Sequence, residues 1–246
     1  MQSLHDASTI RQFERLGVAP GWRCAELGAG AGSVAQWLSD RVGESGWVTA
    51  IDRDTTLLEE LGTRSNVTVV QGDLMVMSFG SSCFDLAHSR SVLMHLEDPD
   101  IVVERLVRAL RPGAVVLFEE TDGAPAQYAA STADIPTPFR DVMLPLVANW
   151  TWARTLAARL VALGFTDVHD DVREDLLVGA SPGAAFWRQT LESIRPIVTD
   201  AAHMESLGRS TVSDASYDAM IELLDNPAFA VPFAARHRVS ARRPKP

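Results

Sequence analysis

The sequence predicts a doubly wound α/β fold, and three observations carry that expectation. Strand-like and helix-like segments alternate through the first half of the chain, a glycine-rich loop stands where the first strand meets a helix, and Asp52 ends the second strand. Such alternation implies parallel strands joined by crossover helices, with ligands taken at the carboxyl ends of the strands.

The elements follow in order. A short amphipathic opening places Ile10, Phe13 and Leu16 at helical spacing. Arg23 to Leu27 reads as a buried strand, and after the loop comes a helix with Val34, Trp37, Leu38 and Val42 on one face, closed by Gly43. Trp47 to Ile51 is the second strand, Asp54 to Leu61 a helix stopped by Gly62, Val67 to Val70 the third strand and Phe84 to Ala87 the fourth. A helix beginning near Pro99 carries Val103, Leu106, Val107 and Leu110, and Arg111-Pro112-Gly113 ends it before the apolar strand Ala114 to Phe118.

From Thr121 to Pro145 the periodicity lapses, long enough for an active-site lid or substrate loop. Trp152, Leu156, Leu160 and Leu163 then form a helical stripe capped by Gly164, and Phe165 to Val172 reads as a sixth strand. Ser181-Pro182 opens a further helix, Asp214 to Leu224 gives another, and Ala235 to Arg242 completes a last strand.

Composition narrows the function classes. Over 246 residues, 46% hydrophobic and 22% charged residues fit an ordinary globular chain. A formal net charge of -10 opposes attraction to nucleic-acid phosphates, so no nucleic-acid partner is expected. With no basic, apolar leader and no run long enough to span a bilayer, the chain is expected in the cytoplasm and away from membranes. Cys24 and Cys83 sit in apolar strand-like runs that suit reduced thiols, and no metal site is expected.

The chemistry concentrates in Glu26-Leu27-Gly28-Ala29-Gly30-Ala31-Gly32, with Asp52 twenty residues further on. Glycines there let the backbone approach a ligand and turn helix-terminal amides toward it. A dinucleotide fingerprint needs its third glycine three residues after the second, and position 33 is Ser33, so that match fails. Glu26 beside the loop would also repel a pyrophosphate, whereas it welcomes a ligand that carries cationic groups.

Here the chain resembles the class I S-adenosylmethionine (SAM)-dependent methyltransferases. Their first motif is similar to E-L-G-A-G-A-G, and their second is an acid at the end of strand two. Gln71-Gly72-Asp73-Leu74 resembles the adenine-binding motif, Cys83 to Ser89 the fourth, and Leu110-Arg111-Pro112-Gly113 the approach to strand five. The resemblance implies a Rossmann-like, seven-stranded, mostly parallel sheet of order 3-2-1-4-5-7-6. It also implies one domain over 1–246, with the SAM-binding part at 20–120 and substrate loop and cap segments at 121–150 and 180–230.

By the same resemblance Glu26 and the Gly28, Ala29, Gly30 and Gly32 loop hold the methionine part of SAM, and Asp52 takes both ribose hydroxyls. Asp73, flanked by Gly72 and Leu74, accepts from the adenine amino group or else caps the helix expected to follow. Arg53 departs from the apolar residue often found after the ribose acid, and its side chain is expected to stack on adenine instead; by the resemblance Ser89 and Arg90, just past strand four, line the path from sulfonium to acceptor. S-adenosylhomocysteine is the expected product.

A phenol, alcohol or ammonium acceptor must lose a proton, and His95 is the candidate base; the alternative is that it packs under the pocket and bonds to backbone. His88 is expected at the sheet edge, and His169 and His237 as structural groups. The acceptor pocket is expected to draw on Tyr128, Phe139, Trp150, Trp152, Phe186 and Trp187, an aromatic set suited to a hydrophobic small molecule, although Trp152 and Trp187 also fit as core residues. The expected function is O- or N-methylation of a small molecule, by a monomer or homodimer. The alternative is a SAM-binding protein that transfers no methyl, such as a cyclase, isomerase or regulatory module.

Overall fold

The structure, a computed structural model, describes residues 3–125, 135–143, 151–206 and 210–245. Helix α1 (Ser3–Leu16) is followed by β1 (Arg23–Leu27), α2 (Ser33–Val42), β2 (Trp47–Asp52), β3 (Val67–Gln71), β4 (Phe84–Arg90), α3 (Pro99–Ala109) and β5 (Leu110–Asp122). Then come α4 (Thr137–Met143), α5 (Leu156–Ala162), β6 (Thr166–Val178), α6 (Pro182–Val198), α7 (Ala201–Ser206), α8 (Asp214–Asp225) and β7 (Ala230–Arg242). The sheet has seven strands in the order β3-β2-β1-β4-β5-β7-β6, as the resemblance implies. The pairs β2–β3, β1–β2, β1–β4 and β4–β5 are parallel.

The chain runs outward from β1 through β2 to β3, then returns to place β4 on the other side of β1. That reversal opens a crevice at the carboxyl ends of β1 and β4, the place where ligands bind in open α/β sheets.

The chain divides into two compact units, residues 1–120, 153–171 and 237–246 in the first and 121–152 and 172–236 in the second. In the first unit, Cys24, Val48, Ala50, Leu86, Val115 and Leu117 from the sheet pack with Phe13, Val34, Leu38 and Val42 from α1 and α2. The second unit has its own core, in which Phe139, Val142, Leu191, Tyr217, Met220, Phe229 and Phe233 are buried together.

Three expectations need correction. The segment from Asp54 to Leu61 is not an α-helix but holds 3-10 turns at Thr56–Leu58 and Leu61–Thr63. Its first turn is diverted by Asp54, whose carboxylate accepts from the Thr56 amide at 3.0 Å and hydroxyl at 2.6 Å, a local bond that competes with the helical ladder. Arg111-Pro112-Gly113 lies within β5 rather than before it. The β4–β5 register jumps from Phe84↔Leu110 to Leu86↔Val115 and leaves these residues in an irregularity, with Gly113 at φ 84°. Trp152 is buried but outside its expected helix, which the structure confines to Leu156–Ala162 after a 3-10 turn at Ala153–Thr155.

Candidate functional site

The glycine loop is tied to the second strand: the Gly28 and Ala29 amides donate to the Ile51 carbonyl at 2.8 and 3.0 Å. Gly28 adopts φ +68°, and a Cβ there would stand 2.3 Å from Val92 Cγ2, so the segment after β4 closes directly on the loop. Gly32, at φ +83°, begins α2, with Leu58 and Leu61 packed where its side chain would be. Those two leucines come from the 3-10 turns after β2, which explains why that segment folds against the loop.

Asp52 joins the loop through its carboxylate. Oδ2 accepts from the Gly30 amide at 2.7 Å and Oδ1 from the Asp54 amide at 3.1 Å. Next to it Gly72 donates to the Asp52 carbonyl at 2.9 Å, which brings the end of β3 alongside. Asp73 Oδ1 accepts from the Met75 amide at 2.8 Å, a turn-capping bond, while its side chain stays 40% exposed. Leu74 is buried beneath it, and the exposed Arg53 guanidinium lies 3.8 Å from Asp73 Oδ2.

Glu26 lies opposite His88 in the β1–β4 register. Its Oε2 meets His88 Nδ1 at 2.7 Å, and both side chains are nearly inaccessible to water. The other imidazole nitrogen, Nε2, lies 3.4 Å from Glu119 Oε2. Glu119 also receives the Thr9 hydroxyl of α1 and the Arg238 Nε of β7, the latter at 2.6 Å. Arg90 reaches back to α1 as well, donating to Asp6 at 2.8 Å and Thr9 at 3.0 Å.

Burial alone would drive a proton off His88, yet the charges and hydrogen bonds of Glu26 and Glu119 outweigh it and push its pKa up to about 9. Burial likewise opposes the charge on Glu119, but its donors His88, Thr9 and Arg238 hold that carboxyl down at about 2. Burial pushes Glu26 above the ordinary carboxylate range, with the His88 imidazole working against that shift.

A second buried carboxylate supports the loop after β4. Glu120 accepts from the Ser89 hydroxyl at 2.9 Å and from the amides of Leu93, Val92 and Met94 at 3.2, 3.2 and 3.3 Å. Burial pushes its pKa up to about 7 despite these donors. The turn so capped is the 3-10 turn Leu93–His95, which presents His95 on the surface and carries Val92 over Gly28.

The structure thus gathers Glu26, Gly28, Ala29, Gly30, Gly32, Asp52, Gly72, Asp73 and Leu74 at the carboxyl ends of β1, β2 and β3. Ser89 and Arg90 are the last residues of β4 rather than beyond it; Ser89 is buried on Glu120 and Arg90 holds α1, so neither is arranged as an open channel lining. His88 is not at a sheet edge, since β4 lies between β1 and β5. His237 bonds Asp170 at 2.8 Å between β7 and β6, whereas His169 is exposed.

Tyr128 and Trp150 lie outside the described residues. Phe186 and Trp187 meet edge to face in the second unit, with centroids 5.5 Å apart, and Trp187 packs on Phe233 at 4.8 Å. Phe139 is fully buried in that core, so these aromatics are engaged in packing. The roles of His88, Glu119, Glu120 and Arg238 escaped the sequence reading. The available signal was Glu119-Glu120 directly after the apolar run Ala114 to Phe118, because two acids ending a buried parallel strand need partners.

Comparison with known proteins places this geometry. Residues 25–118 match the family model described as "Methyltransferase domain". A demethylmenaquinone methyltransferase of Staphylococcus aureus is 30% identical over 121 residues, covering 48% of this chain and 50% of that one. Phosphoethanolamine N-methyltransferase 2 of Haemonchus contortus, solved with S-adenosylhomocysteine, matches with TM-score 0.58 at 20% identity over 97% of this chain and 53% of that one. The [4+2]-cyclase SpnF matches with TM-score 0.61 at 20% identity, over 98% and 82%.

Residues 25–118 thus match a methyltransferase-domain model, and the seven-stranded sheet has the fold of the class I SAM-dependent methyltransferases. The chain spans about half the length of the sequence relative it matches. Among the described residues no helix is long and apolar enough to cross a membrane.

Proposed function

We propose that this protein transfers a methyl group from SAM to an oxygen or nitrogen of a small molecule. The observation that carries the reading is a buried carboxylate, Glu26, beside a glycine bend whose amide at Gly30 is locked to the second acid, Asp52. Anionic groups in this position favour a cationic nucleoside over a phosphorylated one.

The residues fit each part of that cofactor. Glu26 Oε1 has no hydrogen bond among the described residues and suits an ammonium. Asp52 is half-buried with acceptor capacity left on both oxygens for ribose hydroxyls, and Asp73 keeps an exposed oxygen for an adenine amino group. Bound SAM supplies an electrophilic methyl on a sulfonium. The protein's own part is to hold acceptor and cofactor in line and to exclude water. His95, on a turn fixed by Glu120, is the base proposed for an acceptor that must lose a proton.

Radiolabelled SAM incubated with the purified protein and a metabolite extract tests the reading. Label in an extractable small molecule, with S-adenosylhomocysteine released in equal amount, is expected; SAM binding with no incorporation across acceptor classes would overturn it. The second reading, SAM binding without methyl transfer, is favoured by the fold shared with a [4+2]-cyclase. It requires substrate conversion with no S-adenosylhomocysteine formed.

A further inference from the structure

His88 has no place in the sequence reading of the site, yet it is the side chain beneath it that links Glu26 to Glu119. It stands directly across from Glu26 in the parallel register, with both ring nitrogens engaged and no exposed surface. A ring so enclosed cannot reach an acceptor, which rules it out as a base. Neither is it free to turn. Phe13 packs edge to face on the imidazole at 5.0 Å, and Glu119 on its far side is fixed by Thr9 and Arg238. Arg238 is itself tied to Ser8 at 2.6 Å and Asp171 at 3.2 Å.

Stability alone explains this arrangement poorly, because a buried ion pair seldom outperforms apolar residues of the same shape. What the arrangement does accomplish is to fix one carboxylate. Glu26 is bound through Oε2 only, and its second oxygen accepts no hydrogen bond from the described residues.

We propose that His88 is a positioning residue that clamps Oε2 of Glu26 and leaves Oε1 directed to the α-ammonium of an amino-acid-bearing nucleoside. The role rests on the SAM reading above. It parallels the way in which partners behind a metal-ligating side chain set its orientation and basicity, at a typical cost of about 10- to 100-fold in metal affinity when lost. Glu119, Thr9 and Arg238 hold the imidazole from behind, so the opening helix and the last strand both contribute to the clamp.

The test compares two nucleosides by calorimetric titration: S-adenosylhomocysteine, which has the α-ammonium, and 5′-methylthioadenosine, which lacks the amino acid. In His88→Gln, affinity for the first is expected to fall about 10-fold or more, while affinity for the second stays within about 3-fold. Equal loss of both, or loss of neither, would overturn the clamp while leaving the SAM reading in place. Wild-type protein that bound neither nucleoside would bring down the SAM reading and this role with it.

Should His88→Gln fail to fold, two further measurements decide. Glu119→Gln, which leaves the Glu26–His88 bond in place, is expected to weaken S-adenosylhomocysteine selectively and to a lesser degree. Nitrogen-15 spectra of histidine-labelled wild type are expected to show the buried ring responding to S-adenosylhomocysteine but not to 5′-methylthioadenosine. An identical response to both nucleosides, or unselective weakening in Glu119→Gln, would refute the assignment.

Discussion

Gly28 concentrates two constraints on one residue. Its φ of +68° is a conformation that costs an L-residue roughly 1–2 kcal/mol, and a Cβ there would meet Val92 Cγ2 at 2.3 Å. Gly28→Ala is therefore expected to destabilise the protein by about 2–3 kcal/mol in urea unfolding and to weaken SAM binding. Adding Val92→Ala removes the steric part but not the backbone strain, so partial recovery in the double variant is the expected result; full recovery would mean that the backbone is not strained. Glu120 allows a pH prediction at the same scale. Its folded pKa, about 7, lies above the ordinary 4.5, so its contribution is fully present below about pH 4.5 and is lost as pH rises through 7. Ionising it costs about 3 kcal/mol. His88 acts in a different window, present below 6.5 and lost as pH rises through about 9. Glu120→Gln should accordingly show a flatter decline of thermal midpoint than wild type between pH 5 and 7. Matching slopes in that range would mean that Glu120 does not titrate there.

At the scale of elements, helix starts are set by side chains that the sequence names openly. Ser181 accepts from the Ala184 amide at 3.1 Å ahead of Pro182, and Ser181→Ala is expected to cost about 1 kcal/mol of unfolding free energy in urea. The same openness made the sheet readable. Buried parallel strands are short apolar runs, and Arg23 to Leu27 and Trp47 to Ile51 are such runs, ended by Gly28 and Asp52; Val67 to Val70 reads the same way although it forms the half-exposed edge strand of the sheet. Periodicity could not distinguish the Asp54 to Leu61 segment from a helix, because its outcome turned on one aspartate side chain bonding two residues ahead. The glycine loop and Asp52 were legible for the same local reason: they are adjacent in sequence to the strand ends they occupy. The charged network beneath was not, because its members meet only through register and packing. Glu26 and His88 are 62 positions apart, Arg90 and Thr9 81, and Arg238 and Ser8 230. No window of sequence contains such a pair.

At the scale of the whole molecule, every residue assigned to the cofactor lies in the first unit, whereas the aromatic core around Phe139 lies in the second. A ligand stabilises the state that binds it, by about 2.7 kcal/mol at a hundredfold excess over its dissociation constant. Amides whose exchange requires opening of the site gain that protection in full, and amides that exchange by opening the second unit alone gain none. Phe139 packs against Phe229 and Phe233 at 6.2 and 5.9 Å, so Phe139→Ala leaves a cavity expected to cost about 3–5 kcal/mol within the second core. This variant should exchange faster at amides of α4, α6 and α8 while binding S-adenosylhomocysteine within about 3-fold of wild type. Ligand should in turn slow exchange at 26–32, 52–54 and 72–75 in both proteins by the same factor. Hydrogen exchange read by mass spectrometry measures both effects in one series. If Phe139→Ala weakened the ligand in proportion to its loss of stability, the cofactor site would depend on the second core, and its assignment to the first unit alone would be wrong.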